Sequence, residues 1–540
     1  MLFNSLHFLL FFPIVILLYF AIPHKIRVYW LLGASYYFYM SWNPKYAVLL
    51  AASTLITYLS GLLIDFSNKN PNENKRNFRR KLWVFLSFTS NLSILFFFKY
   101  FDFAVANINF ILSHIGIKLL NPAFDVLLPI GISFYIFQAL SYTMDIYRGE
   151  IASEKNIAKY ALFVSFFPQL LAGPIERSKN LLSQMSEKHL FNYDNAKNGF
   201  LLMMWGYFQK TVVADRLSVF VEGIFQNYSG FSGLEISIAG VFFAFQIYLD
   251  FAGYSNISRG AGQIMGFRLM NNFNAPYLAQ SIQDFWRRWH ISLSTWFRDY
   301  LYIPLGGNRC GRLRKYFNTL IVFVVSGLWH GANWTYVVWG ALHGVYQVAG
   351  GITKPYREKA FDFLQIDKNS AIVKIWRTLF VFVLVDIGWV FFRASSISAA
   401  IGMIGRIFSY FQLWIWLILA IMALIVLVRI IIIKKLFKLY FLIIITLLLW
   451  AIGDTFYNIL VSERMAFVSA EAMHQEDFRF SLWCISFVLF CDIVREKIGS
   501  LRDWLEKQTI RARWTVYYGL ILMVLLFCMM ERTEFVYFQF

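Results

Sequence analysis

Apolar runs long enough to cross a membrane recur from one end of this chain to the other, and nothing else in the sequence restricts its fold as much. About 30 Å of hydrocarbon takes roughly 20 helical residues. Runs of that scale stand near 8–22, 28–42, 46–65, 82–98, 127–146, 199–220, 232–252, 317–334, 335–350, 373–393, 411–433, 439–452, 480–494 and 514–530, about fourteen in all. They are continuous rather than alternating, so the spanning elements are helices and not barrel strands; a backbone in lipid must satisfy its own polar groups. The fold class is therefore all-α, a polytopic membrane protein. A composition of 59% hydrophobic and 15% charged residues agrees, since soluble domains hold about 25% charge.

The formal charge of +19 would suit a nucleic-acid partner if it formed one patch. Instead the basic residues fall in short clusters between apolar runs, as in cytoplasmic membrane loops, so no nucleic acid is expected. Lys25 and Arg27, then Lys69 to Lys81, place two such loops inside and the N-terminus outside. The first run, Phe8 to Ile22, has no basic segment before it and no small-residue cleavage site after it, and reads as a retained span. Tyr160 to Pro174 is apolar but short and ends in Gly-Pro, which predicts a re-entrant or interfacial element. From Gln283 to Leu301, apolar residues recur at helical spacing with arginines opposite, predicting one amphipathic helix on the cytoplasmic surface. The four cysteines, Cys310, Cys484, Cys491 and Cys528, lack metal-ligand spacing, and no metal is expected.

Within SGLWHGANW, His330 lies 15 residues beyond Lys315. At about 1.5 Å per residue that is roughly 20 Å into the membrane, nearer the outer face. An ionisable group at such depth marks a function or pathway by default. The rival is a histidine that packs helices among small residues. On depth alone the two readings stand level. His290, in DFWRRWHISLSTWFRDY, borders the apolar face of the predicted surface helix, and taken alone reads as a satisfied interfacial histidine; His343, in WGALHGVYQ, reads as packing or support. The other five histidines fall at span ends or in polar loops and receive no role. Asp145 and Asp250 sit at inner span ends among tyrosines and serines, where lining a cavity and ordinary interhelical bonding are equally open. No P-loop, dinucleotide fingerprint, zinc signature or nucleophile elbow is present. The chain closes on ERTEFVYFQF, an interfacial anchor or a tail able to fold back; the seven residues that follow Met530, through Tyr537, reach at most roughly 25 Å extended.

These segments, with MLFNSLHFLLFFPIVILLYF, ASYYFYMSWNPKY, LPIGISFYIFQALSYTMDIYRG, FFPQLLAGPIER and DFAGYSNISRGAG in order, resemble the membrane-bound O-acyltransferases, in particular the bacterial branch of alginate and peptidoglycan O-acetyltransferases. The resemblance covers nearly the whole chain. It implies a helical ring with a central tunnel and interfacial or re-entrant helices, His330 as the catalytic residue within it, His290 lining its cytoplasmic side, and Tyr537 relaying the acyl group outward. It further implies acetyl-CoA as donor substrate, no tightly bound cofactor, and an extracytoplasmic SGNH-hydrolase-like acetyltransferase as partner. Arg287, Arg288, Arg298, Arg309, Arg312 and Arg314 are the groups expected to meet the phosphates of acetyl-CoA. The chain divides into N-terminal helices over 1–126, a catalytic core over 127–408, C-terminal helices with an extracytoplasmic insertion over 409–530, and an aromatic tail over 531–540. The stretch from about 409 to 479 exceeds the family's usual length and puts the usual partner in doubt. Two rival functions remain: transfer of D-alanine from a carrier-protein thioester to teichoic acid, and a proton-coupled transporter, though no repeat or broken-helix sign favours the latter.

Overall fold

A computed structural model describes residues 1–117, 119–120, 128–171, 173–412 and 475–529. The expected spans near 411–433 and 439–452, nearly all of the 409–479 insertion, and Tyr537 with the rest of the aromatic tail lie outside the described residues.

The N-terminal helices are α1 (Leu6–Ala21), α2 (His24–Met40), α3 (Ala47–Asn68), α4 (Glu73–Leu95) and α5 (Phe101–His114). On α1 the residues Leu6, Leu9, Leu10, Ile14 and Leu17 face outward while Phe8, Phe12, Val15 and Tyr19 are buried. An apolar outer face of this kind is stable against lipid and not against water. The run expected at 82–98 belongs to something longer: α4 continues through the π-helical turn Phe96–Tyr100 into α5, making one rod over 73–114.

The core follows with α6 (Ile132–Tyr147), the short α7 (Ile157–Ser165), α8 (Phe167–Leu170) and α9 (Ser178–Gln184), then α10 (Tyr193–Tyr207). The stretch expected as re-entrant is thus two short buried helices that meet at Phe166. A second π-helical turn, Phe208–Ala214, carries α10 into α11 (Asp215–Gln226). Beyond a capping box, in which Ser232 and Glu235 satisfy each other's backbone N–H groups, runs α12 (Gly233–Ile264). Buried along nearly its whole length, α12 is the axle of the fold. It crosses α10 closely: a Cβ on Gly253 would lie 2.7 Å from the Gly206 carbonyl oxygen, so only glycine fits there.

Next come α13 (Ile282–Arg288), α14 (Ile291–Phe297), a third π-helical turn at Arg298–Tyr302, α15 (Arg312–His330), α16 (Trp334–Phe363) and α17 (Ala371–Arg393). A helix, α18, covers 397–412. Past the undescribed stretch are α19 (Gln475–Ile498), α20 (Leu501–Glu506) and α21 (Ile510–Phe527). By length and composition alone, five described segments are able to cross a bilayer, Pro44–Asn68, Glu73–His114, Gly233–Ile264, Ala371–Arg393 and Ile510–Phe527. Several of the other expected spans are short of that standard because they carry charge: α10 with α11 holds Lys210, Asp215 and Arg216, and α15 opens on Arg312, Arg314 and Lys315.

Ion pairs tie the segments expected at one face to each other. Lys155 meets Asp65 at 2.8 Å, Arg177 meets Asp299 at 3.2 Å, and Arg288 meets Glu496 at 2.8 Å. Asp477, in the segment expected outside, meets Arg216 at 3.1 Å.

Candidate functional site

His330 is the last residue of α15. The run was expected to continue helical to 334, but the chain leaves the helix at Gly331, whose absent side chain makes room for the Tyr336 ring. Asn333 then caps α16 by accepting from the Thr335 N–H at 3.0 Å. This reversal leaves the imidazole at a helix end, only 3% exposed, inside a cage of rings. Ring centroids of Trp329 and Trp339 stand 5.0 Å away and that of Phe392 5.4 Å, the last supplied by α17.

The expectation of one continuous surface helix over 283–301 is wrong. The chain breaks at Trp289 and His290 into α13 and α14, and His290 adopts a left-handed backbone, φ 42°. Non-glycine residues rarely do so outside sites that over-determine them. Here the neighbouring strand of loop holds the break: Ile291 N–H donates to the Asn272 carbonyl at 3.0 Å, and Asn274 N–H to that of Arg288 at 2.9 Å. Phe285, Trp289, Leu293 and Phe297 bury in protein rather than in the lipid interface. His290 is fully buried too, edge-on to Phe251 at 4.6 Å, and its ring centroid lies 6.5 Å from that of His330. It is thus a direct neighbour of His330. His343 forms the third member of the row: its Nδ1 receives the Trp286 indole N–H at 3.2 Å, and it packs at 5.1 Å on Trp339, the ring that also contacts His330.

The six arginines divide. Arg288 is committed, bidentate to Glu496 at 2.8 Å and 3.0 Å from Asp284, and Arg298 pairs with Asp299 at 2.8 Å. Arg287, Arg309, Arg312 and Arg314 are exposed and have no carboxylate partner among the described residues. Asp145 accepts from Tyr300 at 2.5 Å and Ser178 at 2.6 Å, which makes it an interhelical tie. Asp250 pairs with Lys210 at 2.7 Å.

Two groups at the site went unnoticed in the sequence. Lys99 donates to the Trp329 carbonyl at 2.8 Å and the His330 carbonyl at 2.9 Å, and the Tyr100 hydroxyl donates to the Leu328 carbonyl at 2.8 Å. A lysine in the middle of FFFKYFDF was a usable signal, since charge within an apolar run is costly. Two surface cavities, of about 650 Å³ beside Arg259 and Arg268 and about 680 Å³ beside Lys75 and Arg79, are lined by none of the three histidines.

The family description MBOAT, membrane-bound O-acyltransferase, matches residues 148–396, which bracket both His290 and His330. A probable alginate O-acetylase AlgI of Pseudomonas putida is 40% identical over 411 residues, 76% of this chain and 81% of that protein. The chain belongs to the membrane-bound O-acyltransferase family. It is an O-acyltransferase and a multi-pass membrane protein. A peptidoglycan O-acetyltransferase of Helicobacter pylori is 37% identical over 407 residues, 70% of this chain and 73% of that protein. A teichoic acid D-alanyltransferase of Bacillus subtilis matches less, 24% over 268 residues, 47% of this chain and 67% of that protein.

Proposed function

We propose that this acyltransferase takes an acetyl group from acetyl-CoA at the cytoplasmic face and delivers it for O-acetylation of an extracytoplasmic polysaccharide of the alginate or peptidoglycan kind. The observation that carries the reading is the His330–His290 pair, buried 6.5 Å apart in a chain 37–40% identical to proteins named for that acetylation. Acetyl is preferred to D-alanyl as the transferred group because the D-alanyltransferase matches are weaker and shorter.

His330 takes the proton of an acceptor hydroxyl arriving from outside, the task a neutral imidazole performs best near neutral pH. The hydroxyl oxygen attacks the thioester carbon, a C–O bond forms, the C–S bond breaks, and the proton passes to the departing CoA thiolate. His290, beside the same cage, steadies the thioester. Exposed Arg287, Arg309, Arg312 and Arg314 receive the donor's phosphates; Arg288 and Arg298 are occupied by carboxylates. The acceptor is the phenol of Tyr537, which then hands acetate to an SGNH-hydrolase-like partner, or the partner's own serine.

Surface polysaccharide and peptidoglycan from cells with and without the chain are to be assayed for ester-linked acetate. Loss of ester acetate in the His330→Ala strain, with the protein still inserted, is expected; wild-type acetylation would remove His330 from the chemistry. Purified protein offered radiolabelled acetyl-CoA and, separately, an alanyl-charged carrier protein should label only from the first. Tyr537→Phe separates the two acceptors: normal acetylation leaves the partner's serine.

A further inference from the structure

His330 ends a helix, and the end of a helix is where position is hardest to hold. The last carbonyls of α15 have no partner within their own helix. In the interior of a membrane no water replaces it. Three consecutive carbonyls, those of Leu328, Trp329 and His330, are instead met by two adjacent side chains of another element. Those side chains reach them because the rod over 73–114 widens at Phe96–Tyr100 into a π-helical turn. Its Phe96 and Phe97 stay outward against lipid, while Lys99 and Tyr100 turn inward onto α15. π turns inside long helices are frequent where a side chain must be re-aimed for function.

We propose that Lys99 is a positioning residue for His330, fixing the height and orientation of the imidazole by holding the carbonyl of His330 itself. This role rests on the acetyl-transfer reading given above. Its ammonium lies against the negative end of the α15 dipole and 5.8 Å from the Trp329 ring centroid, so the same group also orders a wall of the cage. A lysine placed in a membrane segment only to stop a helix from fraying would be a costly device, since a hydroxyl such as that of Tyr100 already does so without charge. Lys99 is outside residues 148–396, so the N-terminal helices contribute directly to the site built by the matched region.

The test uses the full-length chain in nanodiscs, comparing Lys99→Met, Lys99→Arg and Tyr100→Phe with wild type by CoA release from acetyl-CoA in the presence of the SGNH-hydrolase-like partner and acetate-free envelope polysaccharide. A shift of about 1 Å in a reacting group costs up to about 100-fold. Lys99→Met is therefore expected to lose at least about tenfold in kcat with KM for acetyl-CoA within about threefold, and Lys99→Arg to recover most of kcat. Hydrogen exchange of amides 327–334 should quicken in Lys99→Met and return in Lys99→Arg. Full kcat in a folded Lys99→Met, a loss confined to KM, or no recovery with arginine overturns the proposal. If Lys99→Met does not fold, Tyr100→Phe decides in its place: it frees one carbonyl and should slow kcat about two- to fivefold, and unchanged kcat with unchanged exchange overturns the cap. Should His330→Ala keep wild-type turnover, acetyl transfer through His330 falls, while the exchange data still report whether Lys99 holds the helix end.

Discussion

Lys210 is the residue whose loss should hurt the fold most. Its ammonium lies 2.7 Å from a carboxylate oxygen of Asp215 and 2.7 Å from one of Asp250, and all three side chains are at most 2% exposed. The π-helical turn at Phe208–Ala214 brings Lys210 back toward Asp215 while it faces Asp250 on α12. Removing one partner from a buried ion pair costs about 3–5 kcal/mol, mostly because the other charge stays behind without compensation. Lys210→Met takes the ammonium from two buried carboxylates at once, so the upper end, about 5 kcal/mol, is expected. The triple substitution Lys210→Met, Asp215→Asn, Asp250→Asn should regain most of this, since replacing a whole buried ionic group by neutral groups of similar volume is often close to neutral. The assay is an equilibrium unfolding titration with SDS from mild-detergent micelles, followed by tryptophan fluorescence. A loss under about 1 kcal/mol in the single variant, or no recovery in the triple, refutes the reasoning. A functional consequence should follow in the single variant. The Met529 N–H donates to the Thr211 carbonyl at 2.9 Å, within that same turn, and Arg216 next to Asp215 holds the Phe527 carbonyl at 3.5 Å. The seat from which the tail bearing Tyr537 departs is thus built on the Lys210 cluster.

Charge removal at Arg309, Arg312 and Arg314 together should raise KM for acetyl-CoA several-fold at low salt and flatten its salt dependence, because exposed cations act through a screened field; an unchanged salt slope in initial-rate measurements would detach them from the donor. Arg288→Ala should act differently, lowering stability by about 1–3 kcal/mol through the loss of charged hydrogen bonds to Glu496 and Asp284, with KM for acetyl-CoA little changed in whatever folded protein remains. Gly253→Val should cost at least about 1–3 kcal/mol by overpacking the crossing of α10 and α12, read in the same SDS titration, and a variant as stable as wild type would mean that the two helices separate more easily than the 2.7 Å between an added Cβ and the Gly206 carbonyl oxygen implies.

What could be read from the sequence follows from how each signal is encoded. Apolar runs are written locally, and those that fall on described residues are largely helical, although only five described segments are long and apolar enough to cross a bilayer. Breaks in helices are not written locally. Nothing in WRRWHISLS announces a left-handed residue; the break at His290 is imposed by Asn272 and Asn274, which arrive from a loop 18 and 16 residues upstream. Periodicity saw the apolar face of this stretch correctly and mistook its destination, because burial in lipid and burial in protein select the same residues. The burial of His290 beside His330 was for that reason invisible, and with it the pairing that makes the site. Lys99 and Lys210 were missed for the opposite cause. Each is a charge set among apolar residues, and hydropathy averages such a residue away, although in a membrane it is the residue that most demands a partner. Each has a partner distant in sequence, His330 for Lys99 and Asp250 for Lys210, which also meets the nearby Asp215, and both lysines stand on π-helical turns. A lysine set in a span is therefore better taken as a pointer to a second element than as a flaw in the span, and in this chain that pointer leads from the N-terminal rod to the end of the helix that carries His330.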